Sequence, residues 1–261
     1  MTWSLAATGH WDRYVIEMLT RYIEPETLVL DIGASLGLWS LPLGRAACSR
    51  GGRLWCFEPN PENLPWLEAN IDRNDLRPVA EVHAVALGAR TGTARLGYRE
   101  HGGGNGALLD MGSADSVAVS VARIDDFDFP QRVSFVKMDV EGFELDVLRG
   151  GRALIGRDRP AIFGEFSAAW LRLREEDLAA GLSVVTALDY EVFELEERRS
   201  AGWRSKDLVT LRRLEQPFLS SSQNLLLLPA ERCRPHRAVP TPRSHDRRDP
   251  FSQAERPRPL S

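Results

Sequence analysis

Residues 27–37 read TLVLDIGASLG, from Thr27 to Gly37. Thr27–Ile32 is a nearly unbroken apolar run that ends in Asp-x-Gly, the pattern of a strand buried on both faces. Gly33 allows a sharp backbone turn, and Gly37 allows close approach to a ligand or to the strand. The next stretch, Leu36–Ala47, has helical spacing and is ended by Ser49-Arg-Gly-Gly52. A strand, a glycine turn and a helix in that order form the first half of a βαβ unit.

The same rhythm continues outward. Arg53–Phe57 (RLWCF) reads as a second strand and Pro61–Asn74 as its helix. Val79–Leu87 reads as a third strand and Val133–Val140 as a fourth, followed by a helix over about Phe143–Leu154. Pro160–Phe166 reads as a fifth strand, Glu175–Leu188 as a helix, and Tyr190–Leu195 and Asn224–Leu228 as two late strands. Helical crossovers of this length give right-handed connections. The expected fold is α/β: a doubly wound, mainly parallel, seven-stranded sheet with a late antiparallel edge hairpin. Between Ala89 and Phe129 the rhythm breaks, and alternation in Thr93–Tyr98 and Val117–Ala122 reads as an inserted β-hairpin.

These elements divide the chain into an N-terminal helical cap (1–26), a central domain (27–229) and a Pro/Arg-rich tail (230–261). The tail has few large apolar residues to offset its ordering entropy, so it is expected to be disordered and dispensable for chemistry. The 261 residues carry a net charge of -4 and three cysteines without a C-x-x-C pair. Mild acidity argues against nucleic acid as a partner. The odd thiol and the absence of a signal-peptide pattern point to a reducing cytoplasm. No apolar run is long enough to span a bilayer, so no membrane partner is expected. The oligomeric state is not legible.

The spacing Gly33-x-x-x-Gly37 differs from the three-glycine fingerprint of dinucleotide sites. Glu58 stands at the end of the second strand, where its two oxygens can accept a ribose diol. An acidic Asp31 suits a cationic amino-acid moiety better than a pyrophosphate, which points to an adenosine carrying a methionine sulfonium; otherwise Asp31 merely caps a turn. Further along, Lys137, Asp139 and Glu141 alternate at the end of the fourth strand and share one side of an extended segment. Charges crowded there mark a site or an ion-paired structural cluster.

With LDIGASLG (Leu30–Gly37), FEPNPEN (Phe57–Asn63), AVALGARTG (Ala84–Gly92), GGGNGA (Gly102–Ala107), RIDDF (Arg123–Phe127) and KMDVEGFELDVLRGG (Lys137–Gly151), the chain resembles the FkbM family of S-adenosylmethionine-dependent methyltransferases. The likeness runs from about Leu28 to Phe166. It implies S-adenosyl-L-methionine as cofactor and O-methylation of a hydroxyl on a small acceptor, a sugar or secondary metabolite. It places Asp31, Gly33, Ala34, Ser35 and Gly37 around the methionine moiety, Glu58 on the ribose, Asn60 beside the adenosine, and His83 and Ala84 at the adenine edge. Ser35 stands where Asn is common, and Met138 where Ile is common.

A hydroxyl is a poor nucleophile, so a base is expected. Asp139 and Glu165, at the ends of adjacent strands, are the leading candidates, with Asp139 also near the cofactor; Glu141 and Lys137 follow. Alternatively, Glu165 caps the segment after it and Asp139 pairs with Lys137. Mg²⁺ between Asp139 and Glu165 is conceivable, but hard cations need several oxygens and the sequence nominates two. His10 and His101 are other titratable groups, and Trp11, Trp39, Trp170 and Trp203 are candidates for an acceptor pocket. Two rival readings are a nicotinamide-dependent oxidoreductase on a similar fold, which would want the third glycine, and a noncatalytic methyltransferase-like scaffold.

Overall fold

The computed structural model describes residues 13–98, 106–108, 116–198, 208–215 and 222–233. The expectations for residues 1–12 (with His10 and Trp11), His101, Trp203 and the chain after Cys233 lie outside the described residues, as does most of the glycine-rich stretch before Gly106. A central sheet is built from β1 (Leu28–Ile32), β2 (Arg53–Phe57), β3 (Ala80–His83), β8 (Val133–Met138), β9 (Ala161–Ser167), β10 (Tyr190–Arg198), β11 (Leu208–Arg213) and β12 (Ser222–Pro229). Their order is β11-β10-β12-β9-β8-β1-β2-β3. The five strands from β9 to β3 are parallel, whereas β12 runs antiparallel to both β9 and β10.

The sheet therefore has eight strands, not the expected seven. The additional strand is β11, antiparallel to β10 at the edge. No strand is expected from the sequence over this segment, LVTLRR. Val209 and Leu211 nevertheless pack against one core cluster, while Arg212 pairs with Glu194 and Glu196 across the strand pair. The two expected late strands, β10 and β12, are antiparallel partners, with β11 between them in sequence and β12 lying between β9 and β10 in the sheet.

Helices cover both faces: α1 (Arg13–Leu19), α2 (Ser40–Cys48), α3 (Leu64–Arg73), α4 (Glu144–Gly150), α5 (Arg152–Asp158), α6 (Ala168–Leu173) and α7 (Leu178–Thr186). None of the described helices is long and apolar enough to cross a membrane. One core cluster joins Ile32, Phe57, Met138, Phe166 and the α4, α5 and α7 side chains. The other joins Val29, Phe135, Phe163, Trp39 and Leu226 with α1 and α2. The parallel strands β1, β2, β8 and β9 thus feed apolar side chains to both faces, whereas the edge strand β3 gives Ala80 and Val82 to one face only.

Three element boundaries move for stated reasons. The first helix starts at Ser40 rather than Leu36 because Ser35 and Gly37 hold left-handed φ values of 50° and 92°. The helix expected over 143–154 breaks at Gly151, because the Gly150–Gly151 pair is packed against Gly88 and Ile124 too closely for any side chain. The third strand splits after His83 because its carbonyl accepts from both Glu58 and Val85 N–H, turning the chain out of the sheet. Beyond that turn, β4 (Ala86–Leu87) pairs with β7 (Val117–Ala122), β7 with β5 (Gly92–Tyr98), and β5 with β6 (Gly106–Leu108). The inserted hairpin is thus part of a second, four-stranded sheet.

The folded chain continues past Pro229. Residues 230–232 form a short 3-10 turn, and the Arg232 guanidinium donates to the carbonyls of Tyr22 (2.7 Å), Ser134 (3.1 Å) and Arg159 (3.2 Å).

Candidate functional site

A cavity of about 440 Å³ opens at the carboxyl ends of β1, β2, β8 and β9, where a doubly wound sheet leaves its crevice. Its floor is set by the turn after β1. Gly33 and Ala34 donate to the Phe57 carbonyl at 2.9 and 3.1 Å, which binds that turn to the end of β2. A Cβ on Gly33 would lie 2.0 Å from the Asp139 carbonyl oxygen, so only glycine lets the turn pass the end of β8.

Behind this turn sits a buried ion pair. Asp31 is fully buried, accepts from Ser40 Oγ at 2.6 Å, and lies 3.3 Å from Lys137 Nζ. Lys137 also donates to the Gly33 carbonyl (3.2 Å) and stands 3.9 Å from Asp139 Oδ2. Burial alone would lower the Lys137 pKa, but the Asp31 and Asp139 carboxylates outweigh it and hold the amine above its ordinary value. Lys137 is therefore a fixed cation.

Glu58 forms the next wall. It is 5% exposed, and its oxygens accept from Ser35 N (2.7 Å), Asn60 N (2.9 Å) and Asn63 Nδ2 (3.3 Å). Burial raises its pKa despite these donors and the nearby Lys137 charge. The donors fix the carboxylate in one orientation and leave acceptor capacity facing the cavity, since two carboxylate oxygens offer about four lone-pair positions. Asn60 Oδ1 accepts from Glu62 N (3.0 Å), which holds the Pro59–Pro61 turn as it enters the α3 region.

The opposite wall comes from the turn between β8 and α4. Asp139 is bound to β1 through its N–H and the Ile32 carbonyl (3.0 Å), and its side chain is 38% exposed. Glu141, at a left-handed φ of 52°, accepts from Trp170 Nε1 at 3.0 Å. Glu165 is exposed at the end of β9, opposite Asn224 of β12, and both line the cavity. Because Met138 pairs with Gly164, Asp139 and Glu165 follow at neighbouring strand ends.

The nominated residues separate into two groups. Gly33, Ala34, Ser35, Glu58, Asn60, Lys137, Asp139, Glu141 and Glu165 all line the cavity. Asp31, Gly37, His83 and Ala84 do not. Asp31 is occupied behind the wall by Lys137 and Ser40, and Gly37 is packed under Leu67. His83 stacks on Phe57 (4.9 Å between ring centres) and lies 4.4 Å from the Trp55 ring, with burial lowering its pKa. After the turn at His83 it is Val85, Ala86 and Leu87 that reach the cavity, joined by Leu96 from β5. The sequence reading missed these four, together with Leu38, Phe163 and Asn224. The apolar run Ala84–Leu87 after His83 was the available signal for the first three. Trp39 lines the cavity from the end of the β1 turn, whereas Trp170 reaches it only through Glu141. Among the described residues, no three His, Cys, Asp or Glu side chains gather as a metal donor set.

The methyltransferase FkbM domain model matches residues 31–192, which contain every wall of this cavity except Asn224. The chain belongs to this family. Within it the chain is 28% identical over 148 residues to methyltransferase 1 of Beauveria bassiana, covering 48% of this chain and 58% of that one. It is 25% identical over 139 residues to the hexuronic acid methyltransferase AglP of Haloferax volcanii, covering 52% and 54%. The chain thus spans somewhat over half the length of these curated relatives. The solved methyltransferase FkbM of Methylobacillus flagellatus aligns with 78% of this chain and 43% of its own, at 24% identity and a TM-score of 0.47.

Proposed function

We propose that this FkbM-domain protein transfers the methyl group of S-adenosylmethionine to a hydroxyl of a small acceptor, a sugar or secondary metabolite. The observation that carries the reading is Glu58: a buried carboxylate, oriented by three donors, facing a cavity whose other end bears solvent-reachable carboxylates. The donor set suits the cofactor. Glu58 accepts from the ribose diol, Val85 and Ala86 flank the adenine, and the turn at Gly33–Ser35 receives the methionine moiety. Asp31 acts through Lys137 rather than by contact. The cavity volume falls in the range of small-molecule sites, roughly 300–1,000 Å³.

When bound, the sulfonium supplies an already activated methyl group. The chain must align the acceptor oxygen and take its proton. Asp139 is our choice of base, with Glu165 across the strand ends as its partner in binding acceptor hydroxyls. Glu141, held by Trp170, shapes the same end. Lys137, a cation, braces the wall and takes no proton. Fixed orientation is worth roughly 7–11 kcal/mol and a placed base roughly 10²–10⁴-fold. The Haloferax relative, by its name, methylates a hexuronic acid, which favours a sugar acceptor. The three cysteines are unpaired thiols, in keeping with the cytoplasm as the proposed location.

Calorimetry with S-adenosylmethionine and S-adenosylhomocysteine tests the cofactor assignment. Wild-type protein should bind both, and Glu58→Gln should bind them about tenfold to a hundredfold more weakly, the scale of one charged hydrogen bond. No heat with wild-type protein refutes the reading. Hydroxylated metabolites incubated with the loaded protein should gain one methyl group by mass, and Asp139→Asn should slow that transfer.

A further inference from the structure

The turn from Asp139 to Phe143 carries two of the carboxylates that face the acceptor end, and it places a non-glycine residue in the left-handed region. Glu141 and Gly142 both hold positive φ values, 52° and 99°. What holds it is a carboxylate beneath. Glu144, 2% exposed at the start of α4, accepts the N–H groups of Val140 (3.1 Å) and Gly142 (3.2 Å) on the same oxygen, Oε1. These two donors alternate with Asp139 and Glu141, so fixing them directs the neighbouring side chains outward together. From above, the turn is gripped by α6: Arg174 donates to the Gly142 carbonyl (2.7 Å), and a Cβ on Gly142 would lie 2.7 Å from Trp170 Cβ. A carboxylate this deeply buried is costly, and a cap alone does not require a glutamate at so apolar a place.

We propose that Glu144 is a positioning residue for methyl transfer: its buried Oε1 holds the 139–143 turn so that Asp139 and Glu141 face the acceptor together. This inference rests on the function proposed above. Glu144 touches neither cofactor nor acceptor, and it does not line the cavity. Its role needs an acceptor oxygen at the right reach, not a negative charge. Glutamine supplies that oxygen, aspartate falls one methylene short, and alanine supplies none.

The test compares Glu144→Gln, Glu144→Asp and Glu144→Ala. Amide hydrogen exchange without added ligand should show Val140 and Gly142 protected in wild type and Glu144→Gln, and at least tenfold faster in the other two. With acceptor, kcat should stay within about threefold of wild type for Glu144→Gln and fall tenfold or more for Glu144→Asp. Binding of S-adenosylhomocysteine should change less than threefold throughout, because Glu58 is on the far wall. If Glu144→Ala does not fold, the glutamine–aspartate contrast decides alone. Protection that persists in Glu144→Asp, or activity retained by aspartate and lost with glutamine, overturns the proposal. Exchange behaving as stated in a protein that binds no cofactor refutes the functional reading and leaves the turn-holding role intact.

Discussion

Lys137 Nζ stands 3.3 Å from Asp31 Oδ1, with the two side chains 3% and 0% exposed. Adjacent parallel strands place these residues opposite one another, since Asp31 and Lys137 are register partners in the β1–β8 pair. The pair joins the two halves of the cavity from behind, because the same Lys137 Nζ also donates to the Gly33 carbonyl and faces Asp139.

Removing one partner leaves a charge in the sheet without compensation. Lys137→Met should therefore destabilise the protein by about 3–5 kcal/mol, as broken buried pairs do. Urea unfolding measures it. A loss under about 1 kcal/mol would mean that water reaches Asp31.

If Glu58 holds the cofactor as proposed, affinity for that cofactor depends on pH. Burial raises its pKa above the ordinary carboxylate value, so it takes up a proton earlier as pH falls. A protonated carboxyl has lost acceptor capacity. Binding of S-adenosylhomocysteine should weaken on acidification, while Glu58→Gln should bind weakly with little pH dependence. Parallel calorimetric titrations of the two proteins across the acid range check this.

Stability should carry the mark of Glu144. Burial, opposed by its N–H donors, raises its pKa to about 7, so the folded state holds that proton more tightly than the unfolded chain does. The stabilisation it gives is complete below the ordinary value near 4.5 and is lost as pH rises through about 7, at up to about 1.4 kcal/mol per pH unit. Asp126 and Glu231, lowered to about 2 by hydrogen bonds from Arg123 and Arg159, act in the opposite sense and only in acid. Between pH 5 and 8, wild type should thus lose stability relative to Glu144→Gln. Equal slopes in urea unfolding would show that Glu144 does not titrate there.

Truncation should distinguish Pro229 from Cys233 as the end of the fold. Stopping after Cys233 keeps Arg232 on the carbonyls of Tyr22, Ser134 and Arg159 and should leave the melting temperature unchanged. Stopping after Pro229 removes it and should cost about 2–4 kcal/mol, because those part-buried carbonyls lose charged donors. Thermal melts of both proteins decide.

Much of this architecture was legible because mostly apolar runs bounded by turn residues, such as Thr27–Ile32 and Val133–Met138, read as buried strands, and Glu58 drew notice by following one. Tertiary demands set the rest. Val209 and Leu211 alternate with Thr210 and Arg212 in LVTLRR, but so short a run does not reveal its place at the edge beside β10. Val79–Leu87 has no proline or glycine to mark the turn at His83, where the Val85 N–H bonds back to the His83 carbonyl at 2.9 Å. Asp31 looked like a ligand contact because proximity in sequence to a glycine turn does not reveal which way a strand-end side chain points; its partner, more than a hundred residues away, decides that.

The short parallel contact of Ala86–Leu87 with Val121–Ala122 ties off everything between them at a two-residue neck. Leu96, on the far side of that neck, still reaches the cavity. A change of length or chemistry in that segment would therefore alter the rim of the cavity while leaving the strands of the central sheet in place.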